Sequence, residues 1–263
     1  TFKGHHMLGK PLPAWRWPPR KLGAASTLKL ALMPWSRVSS AGVLTQWRDI
    51  SGNGYHGTPT GSPAIIDTGV LGGVTLDGFR ITGGLADLTG FDANGGGVVV
   101  DSLVSACTIR NCVIFGNSAI ADGGGMVITG GAPLSVENSV FHNNSAVKGG
   151  GVAWVAGPDS STFVNVVIAS NSATSCGGGV YGSSVSVALT PTFRNCTIAD
   201  NFTTGPVFTG GGIYLHDNFA PVIYNTIFSG NSPEGITVHD STPTANTPTV
   251  WNCLFNGNGS SAF

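Results

Sequence analysis

Charge is what this chain most lacks: Asp, Glu, Lys and Arg together make up 10% of its 263 residues. Helical proteins draw heavily on Lys, Glu and Arg, so the shortage argues against an all-α fold. The formal net charge of -1 leaves no electrostatic footprint for nucleic acid or for an anionic membrane surface. Long apolar runs are missing as well. None reaches the roughly 18 residues of a membrane span, and nothing at the start reads as a complete signal peptide. There is no Gly-x-Ser-x-Gly elbow, His-Glu-x-x-His pair, phosphate loop or repeated calcium motif. Flat rows of Thr, as ice binding would require, are not expected either.

What the chain has in excess is glycine, 40 residues of it, and a recurring asparagine. Asn111 recurs as Asn138, Asn165, Asn195, Asn225 and Asn252, and six residues after each stands Asn117, Asn144, Asn171, Asn201, Asn231 or Asn258. Three residues before each second Asn is Ile or Phe, at Ile114, Phe141, Ile168, Ile198, Phe228 and Phe255. A period of 27 to 30 residues held over six copies means one structural unit stacked on itself.

Within a copy, side chains alternate. Ile109, Val136, Phe163, Phe193, Ile223 and Val250 stand two residues before the first Asn and are expected to point inward. Arg110, Glu137, Val164, Arg194, Tyr224 and Trp251 stand one residue before it and are expected to point outward. That alternation is the mark of a strand. The Asn itself suits a corner, because Asn tolerates left-handed backbone, and stacked copies can hydrogen-bond into a ladder. A second short strand, a Gly-rich bend such as Gly123–Gly125, and an apolar third strand such as Met126–Ile128 complete the unit. The expected fold is therefore all-β: a right-handed, single-stranded parallel β-helix of about seven coils over residues 71–263, with three strands and three corners per coil. Residues 1–70 are expected to be irregular, with a short N-terminal α-helical cap over 23–33 ending before Pro34.

Phe-x-x-Asn at Phe141–Asn144, Phe228–Asn231 and Phe255–Asn258, with Gly178–Tyr181 and Gly211–Tyr214, resembles the repeats of the chlamydial polymorphic outer membrane proteins and related β-helix surface proteins. The resemblance covers about 75–263 and implies a secreted or surface-displayed stalk or adhesin. Separately, Trp47–Thr58 resembles the opening of laminin-G/concanavalin-like domains. A sandwich of that kind needs roughly 100 residues, so a complete one does not fit before the repeats begin.

The five cysteines do not report a redox compartment. Cys112, Cys196 and Cys253 share one file, two or three rungs apart, or roughly 10 to 14 Å at strand spacing, too far for a disulfide. A further apolar file, Val113, Val140, Val167, Thr197, Ile227 and Leu254, is expected to face outward as a stripe. Such a stripe invites cover by the Trp-rich N-terminal segment or by a second copy, and the open C-terminal end offers a further contact.

Two constellations can carry chemistry. His216–Asp217 and His239–Asp240 occupy equivalent places in adjacent coils. They form a candidate catalytic pair, or a holder for a divalent cation. Both also suit a polar strand end. Tyr181 and Tyr214 on the same face are candidate sugar-stacking rings. The outward file Arg194, Tyr224 and Trp251 offers a second sugar surface, since aromatic faces suit C–H surfaces and Arg suits a uronate carboxylate. Arg110 beside Glu137 is expected to form a cross-strand ion pair. Glycoside-cleaving sites need paired carboxylates, whereas Asp122, Asp159, Asp200 and Glu234 fall in bends. Two functions follow: an extracellular protein that binds or processes polysaccharide or cell-surface glycan, or a non-catalytic surface, adhesin or structural module.

Overall fold

The computed structural model describes residues 64–66, 74–87, 93–100, 106–130, 133–155, 161–184, 188–205, 210–239 and 247–259. The expected capping helix and the segment around Trp47 lie outside these. The chain winds into a right-handed parallel β-helix of four parallel sheets. Sheet I stacks Ala64–Ile66, Val98–Val100, Met126–Ile128, Val152–Trp154, Val180–Gly182, Ile213–His216 and Ile236–His239. Sheet II runs from Val74–Asp77 through Cys107–Arg110, Leu134–Glu137, Thr162–Val164, Thr192–Arg194 and Val222–Tyr224 to Thr249–Trp251. Sheet III runs from Arg80–Thr82 through Val113–Phe115 to Leu254–Asn256, again with seven strands.

Sheet IV is the departure from the three-strand unit. Short strands Leu85–Ala86, Ser118–Ala119, Ser145–Lys148, Ser172–Cys176 and Phe202–Thr203 pair after the second Asn of each coil. Five turns are thus complete with four strands. The next keeps only an isolated bridge, Phe202 to Ser232. Two-residue strands carry too little alternation to be seen by periodicity, and Ser and Ala there resemble a bend.

The expected files stand. Ile109, Val136, Phe163, Phe193 and Ile223 are fully buried in one core that runs the length of the coil. Each corner Asn adopts left-handed backbone, from φ 48 at Asn138 to φ 56 at Asn165. A second left-handed file, Gly116, Asn143, Ser170, Asp200 and Gly230, sits just before the second Asn. Asn138 and Asn165 lie directly over one another: the preceding residues Glu137 and Val164 pair in register, and Asn165 Nδ2 donates to Asn138 Oδ1 at 3.1 Å.

The continuous ladder is built by the second asparagines instead. Asn144 Nδ2 donates to Asn171 Oδ1 and to the Ile114 carbonyl, each at 3.0 Å. Its own Oδ1 accepts from the backbone N–H and Nδ2 of Asn117 at 3.1 and 3.0 Å. The pattern repeats through Asn201 and Asn231 to Asn258. From Asn117 to Asn231 these side chains are buried, whereas the corner file is exposed and bonds only in pairs. Burial explains the difference, because an amide removed from water must satisfy all its groups internally.

Glycine follows the ladder because the chain passes so close to its neighbour. A Cβ at Gly124 would stand 2.3 Å from the Ser145 carbonyl oxygen. Inside the coil, Trp154 packs on Phe163, Phe193 and Phe219. Gly182, next in register to Trp154, leaves the space that the Phe219 ring fills.

All five cysteines are free. Burial pushes Cys107 up to about 12, and Cys112 and Cys196 up to about 11, from the usual 9.0. The Cys112 and Cys196 Sγ atoms lie 3.2 and 3.3 Å from the carbonyls two residues back. The outward stripe of sheet III is half-buried at Val113, Val140 and Val167, and opens to 42% at Ile227 and 57% at Leu254.

Replacing Asn171 by Ala strips the acceptor from two Asn144 donors and the donor from the Phe141 carbonyl. The expected loss is about 3 kcal/mol or more by urea denaturation. Asn165→Gly, which keeps the left-handed corner, loses less than about 1 kcal/mol. Equal losses would show that the ladder does not hold the coil. The thiols give a second check. At pH 8, iodoacetamide followed by peptide mass mapping should label half-exposed Cys253 well before the four buried cysteines. Their folded values lie above the unfolded one, so their contribution to stability is whole below pH 9 and fades as pH rises towards 11 to 12.

Candidate functional site

Both faces of sheet I are buried along most of its length, and this decides the fate of the tyrosines. Ile213 and Leu215 point into the coil, so Tyr214 and His216 point out. Yet Tyr181 and Tyr214 are only 6% and 2% exposed. They pack in a second apolar cluster with Val99, Val127, Ala153 and Cys176, stacked on each other at 6.0 Å. Lys148 Nζ lies 5.2 Å from the Tyr181 ring centroid. Burial raises both phenol pKa values above the usual 10.0. Neither ring presents a face to a sugar, contrary to the expectation from sequence. The sign was there to be read: Val98–Val100 and Met126–Ile128 are unbroken apolar runs, as parallel strands buried on both faces tend to be.

The two histidines do come together. His216 pairs in register with His239, and their rings stack at 5.2 Å with an 11° tilt. Tyr214 stacks beside both. Asp217 Oδ2 sits 3.0 Å from His216 Nδ1, and Ser183 Oγ is 3.2 Å from the same nitrogen. Ser183 and Asp217 thus meet the His216 ring at a single nitrogen. Ser183 escaped notice in the sequence, although it stands one rung before His216 in the same file. Asp240 lies outside the described residues.

This arrangement has a definite chemistry. A carboxylate on Nδ1 holds the proton there and leaves Nε2 with its lone pair, free to act as a base. Because Ser183 meets the same nitrogen as Asp217, it is not placed to be activated as a nucleophile through Nε2. Parallel rings at 5.2 Å do not converge on one ion, which needs both nitrogens within about 2.1 Å. Among the described residues, no three His, Cys, Asp or Glu side chains gather as a metal site.

On sheet II, Arg194, Tyr224 and Trp251 occupy successive rungs. The Tyr224 and Trp251 rings stack face to face at 5.1 Å and 22°. They form a column along the axis rather than a flat pavement, and the open surface falls mainly to Trp251, 47% exposed. Further along the file, Arg110 pairs with Asp77 at 2.9 Å instead of with Glu137. Asn111 also donates to Asp77 at 2.7 Å. Glu137 accepts from Ser135 at 2.8 Å. The preference is local: Asp77, one rung before Arg110, receives both groups at once.

Residues 159–263 match the protein family described as right-handed β-helix region. The match covers the coils that carry both constellations. No curated protein and no solved structure matches the chain.

Nitrogen NMR on the His216 ring tests the geometry. The expected signal is an Nδ1–H tautomer in the wild type, and Asp217→Asn should shift the population towards Nε2–H. An unchanged tautomer in that variant would show that Asp217 does not set it.

Proposed function

We propose that this β-helix binds polysaccharide outside the cell, on the outer face of sheet II around Arg194, Tyr224 and Trp251. The supporting observation is the exposed Trp251 ring, backed by Tyr224 and in file with a guanidinium. Tyr224 holds one face of the indole, which fixes its rotamer before any ligand arrives. A sugar then stacks its C–H face on the other side with little ordering cost. Arg194 stands two rungs away, roughly 10 Å at strand spacing, within reach of the carboxylate of a neighbouring uronate unit.

Binding without turnover is favoured by the acids. Asp77 is held by Arg110 and Asn111, and Glu137 accepts from Ser135. The Gly210 N–H and the Thr237 hydroxyl both donate to Glu234. Hydrolysis wants two carboxylates facing one bond. The surface-module role implied by the repeat resemblance is compatible with such a protein. A processing role draws support from one contact only, the Asp217–His216 pair, which supplies a base but no acid partner among the described residues.

Titration calorimetry with oligogalacturonides separates these. The wild type should bind, and Trp251→Ala should weaken binding about tenfold or more. Absence of binding to the wild type overturns the reading. Should the wild type also release unsaturated or reducing ends, and His216→Gln abolish that release, the processing role gains the site. No release leaves a binding module.

A further inference from the structure

Two residues before the charged and aromatic file of sheet II runs a second outward file. It consists of Thr75, Thr108, Ser135, Thr162, Thr192 and Thr249, interrupted once by Val222. A row of Thr was not expected from the sequence, where these residues stand three before the corner Asn and the row is broken by Ser135 and Val222. The register makes the file plain. All its members are half-buried or exposed. Ser135 and Thr162 are bonded within the protein, Ser135 to Glu137 and Thr162 to Ser135. Thr75, Thr108, Thr192 and Thr249 spend their hydroxyls on no hydrogen bond among the described residues.

Four of the seven rungs of sheet II, those of Thr108, Ser135, Thr192 and Thr249, therefore present three groups in fixed order. First comes a hydroxyl, then a charged or aromatic side chain, then the exposed amide of the corner Asn. Rungs stand about 4.8 Å apart, and each of the other three keeps two of the groups, with Gly78, Val164 or Val222 in place of the third. A surface with a one-dimensional repeat matches a ligand with one. The groups suit a polyhydroxy chain, with donor-acceptor hydroxyls and amides for its hydroxyls and Trp251 for one ring face. Charge points the same way. Arg110 is neutralised by Asp77, while Arg194 forms no ion pair among the described residues. The uncompensated cation thus stands at the Trp251 end, where an acidic sugar would be met.

We infer that the glycan lies along the helix axis over the whole outer face of sheet II, contacting the hydroxyl file rung by rung. This rests on the polysaccharide reading above and gives its ligand a direction and a length. A flat solid such as ice is not accommodated. Arg110, Glu137, Arg194 and Trp251 rise beside the Thr file and hold any plane away from it. A single extended chain lies alongside them.

The experiment uses the full chain, an oligogalacturonide disaccharide and octasaccharide, and the double variant Thr108→Val/Thr162→Val. Those two sites lie far from Trp251, Thr108 by five rungs or roughly 24 Å, and Val suits a strand, so denaturation midpoints should stay near the wild type. The octasaccharide is expected to bind at least tenfold tighter than the disaccharide. The double variant should weaken the octasaccharide by roughly threefold to tenfold per hydroxyl and leave the disaccharide unchanged. If both sugars bind equally and the double variant changes neither, while Trp251→Ala still weakens both, the axial path is overturned and the local sugar site stands. If neither sugar binds the wild type, both readings fall. Inhibition of ice recrystallisation that the double variant loses would also overturn the glycan path, in favour of a solid ligand.

Discussion

The buried asparagine ladder is the constraint on which the rest of the molecule depends. A parallel coil must turn its backbone at every corner, and at the turn between sheets III and IV the peptide groups lie inside, away from water. Each ladder amide repairs this in both directions: it accepts two donors from one neighbouring coil and gives donors to both. Leaving any one of these groups unmade costs on the order of 1–3 kcal/mol, so the coils cannot slip independently. Gly124 and its equivalents belong to the same constraint. With a carbonyl 2.3 Å from where their Cβ would be, they let adjacent coils close to hydrogen-bonding distance.

Once the coils are locked in register, side chains of equivalent residues form files, and every surface property becomes a property of a file. Sheet II carries hydroxyls, then charges and rings; sheet III carries branched apolar side chains; sheet I carries an outer layer that is itself buried. The stacking of His216 on His239, and of Tyr224 on Trp251, needs no special attraction to explain it. Rings at the same position of consecutive rungs have nowhere else to go. This also limits what such pairs can do. Side chains that stack along the axis face one another, so they hand their edges, not their faces, to a ligand, except at the end of the column.

Much of the fold could be read directly from residues. The inward row from Ile109 to Ile223, the corners at Asn111 and its copies, and the glycine runs all obey short-range rules of backbone and period, and these rules are local. The site was less legible, because it depends on what lies across the sheet. Tyr214 alternates like an exposed residue, yet its ring is buried in an outer cluster with Tyr181 and Cys176, side chains of the preceding coil rather than of its own segment. Arg110 had two carboxylates within one rung, and only geometry chooses Asp77. The short strands of sheet IV failed for a different reason: two residues cannot show a period. The ladder expected of the corner asparagines formed in the second file, a choice that pattern cannot make because both files recur equally. Burial separates them, and burial follows from the second left-handed corner at residues such as Asn143 and Ser170.

The distribution of acids bears on what kind of function a scaffold like this sustains. Catalysis on a glycosidic bond asks for two carboxyl groups in unlike environments facing one atom. In a register-locked coil, two such groups in one file arrive at strand spacing or its multiples, with another side chain between them at every second rung. Here the intervening residue is Arg110, flanked by Asp77 on one side and Glu137 on the other. Its guanidinium is already engaged with Asp77, which turns that carboxylate along the sheet. The contacts that occupy Asp77 also make the face a fixed pattern of hydrogen-bonding groups. Fixed patterns lower the ordering cost of binding, and for that reason the outer surface of sheet II is better suited to holding a chain than to breaking one.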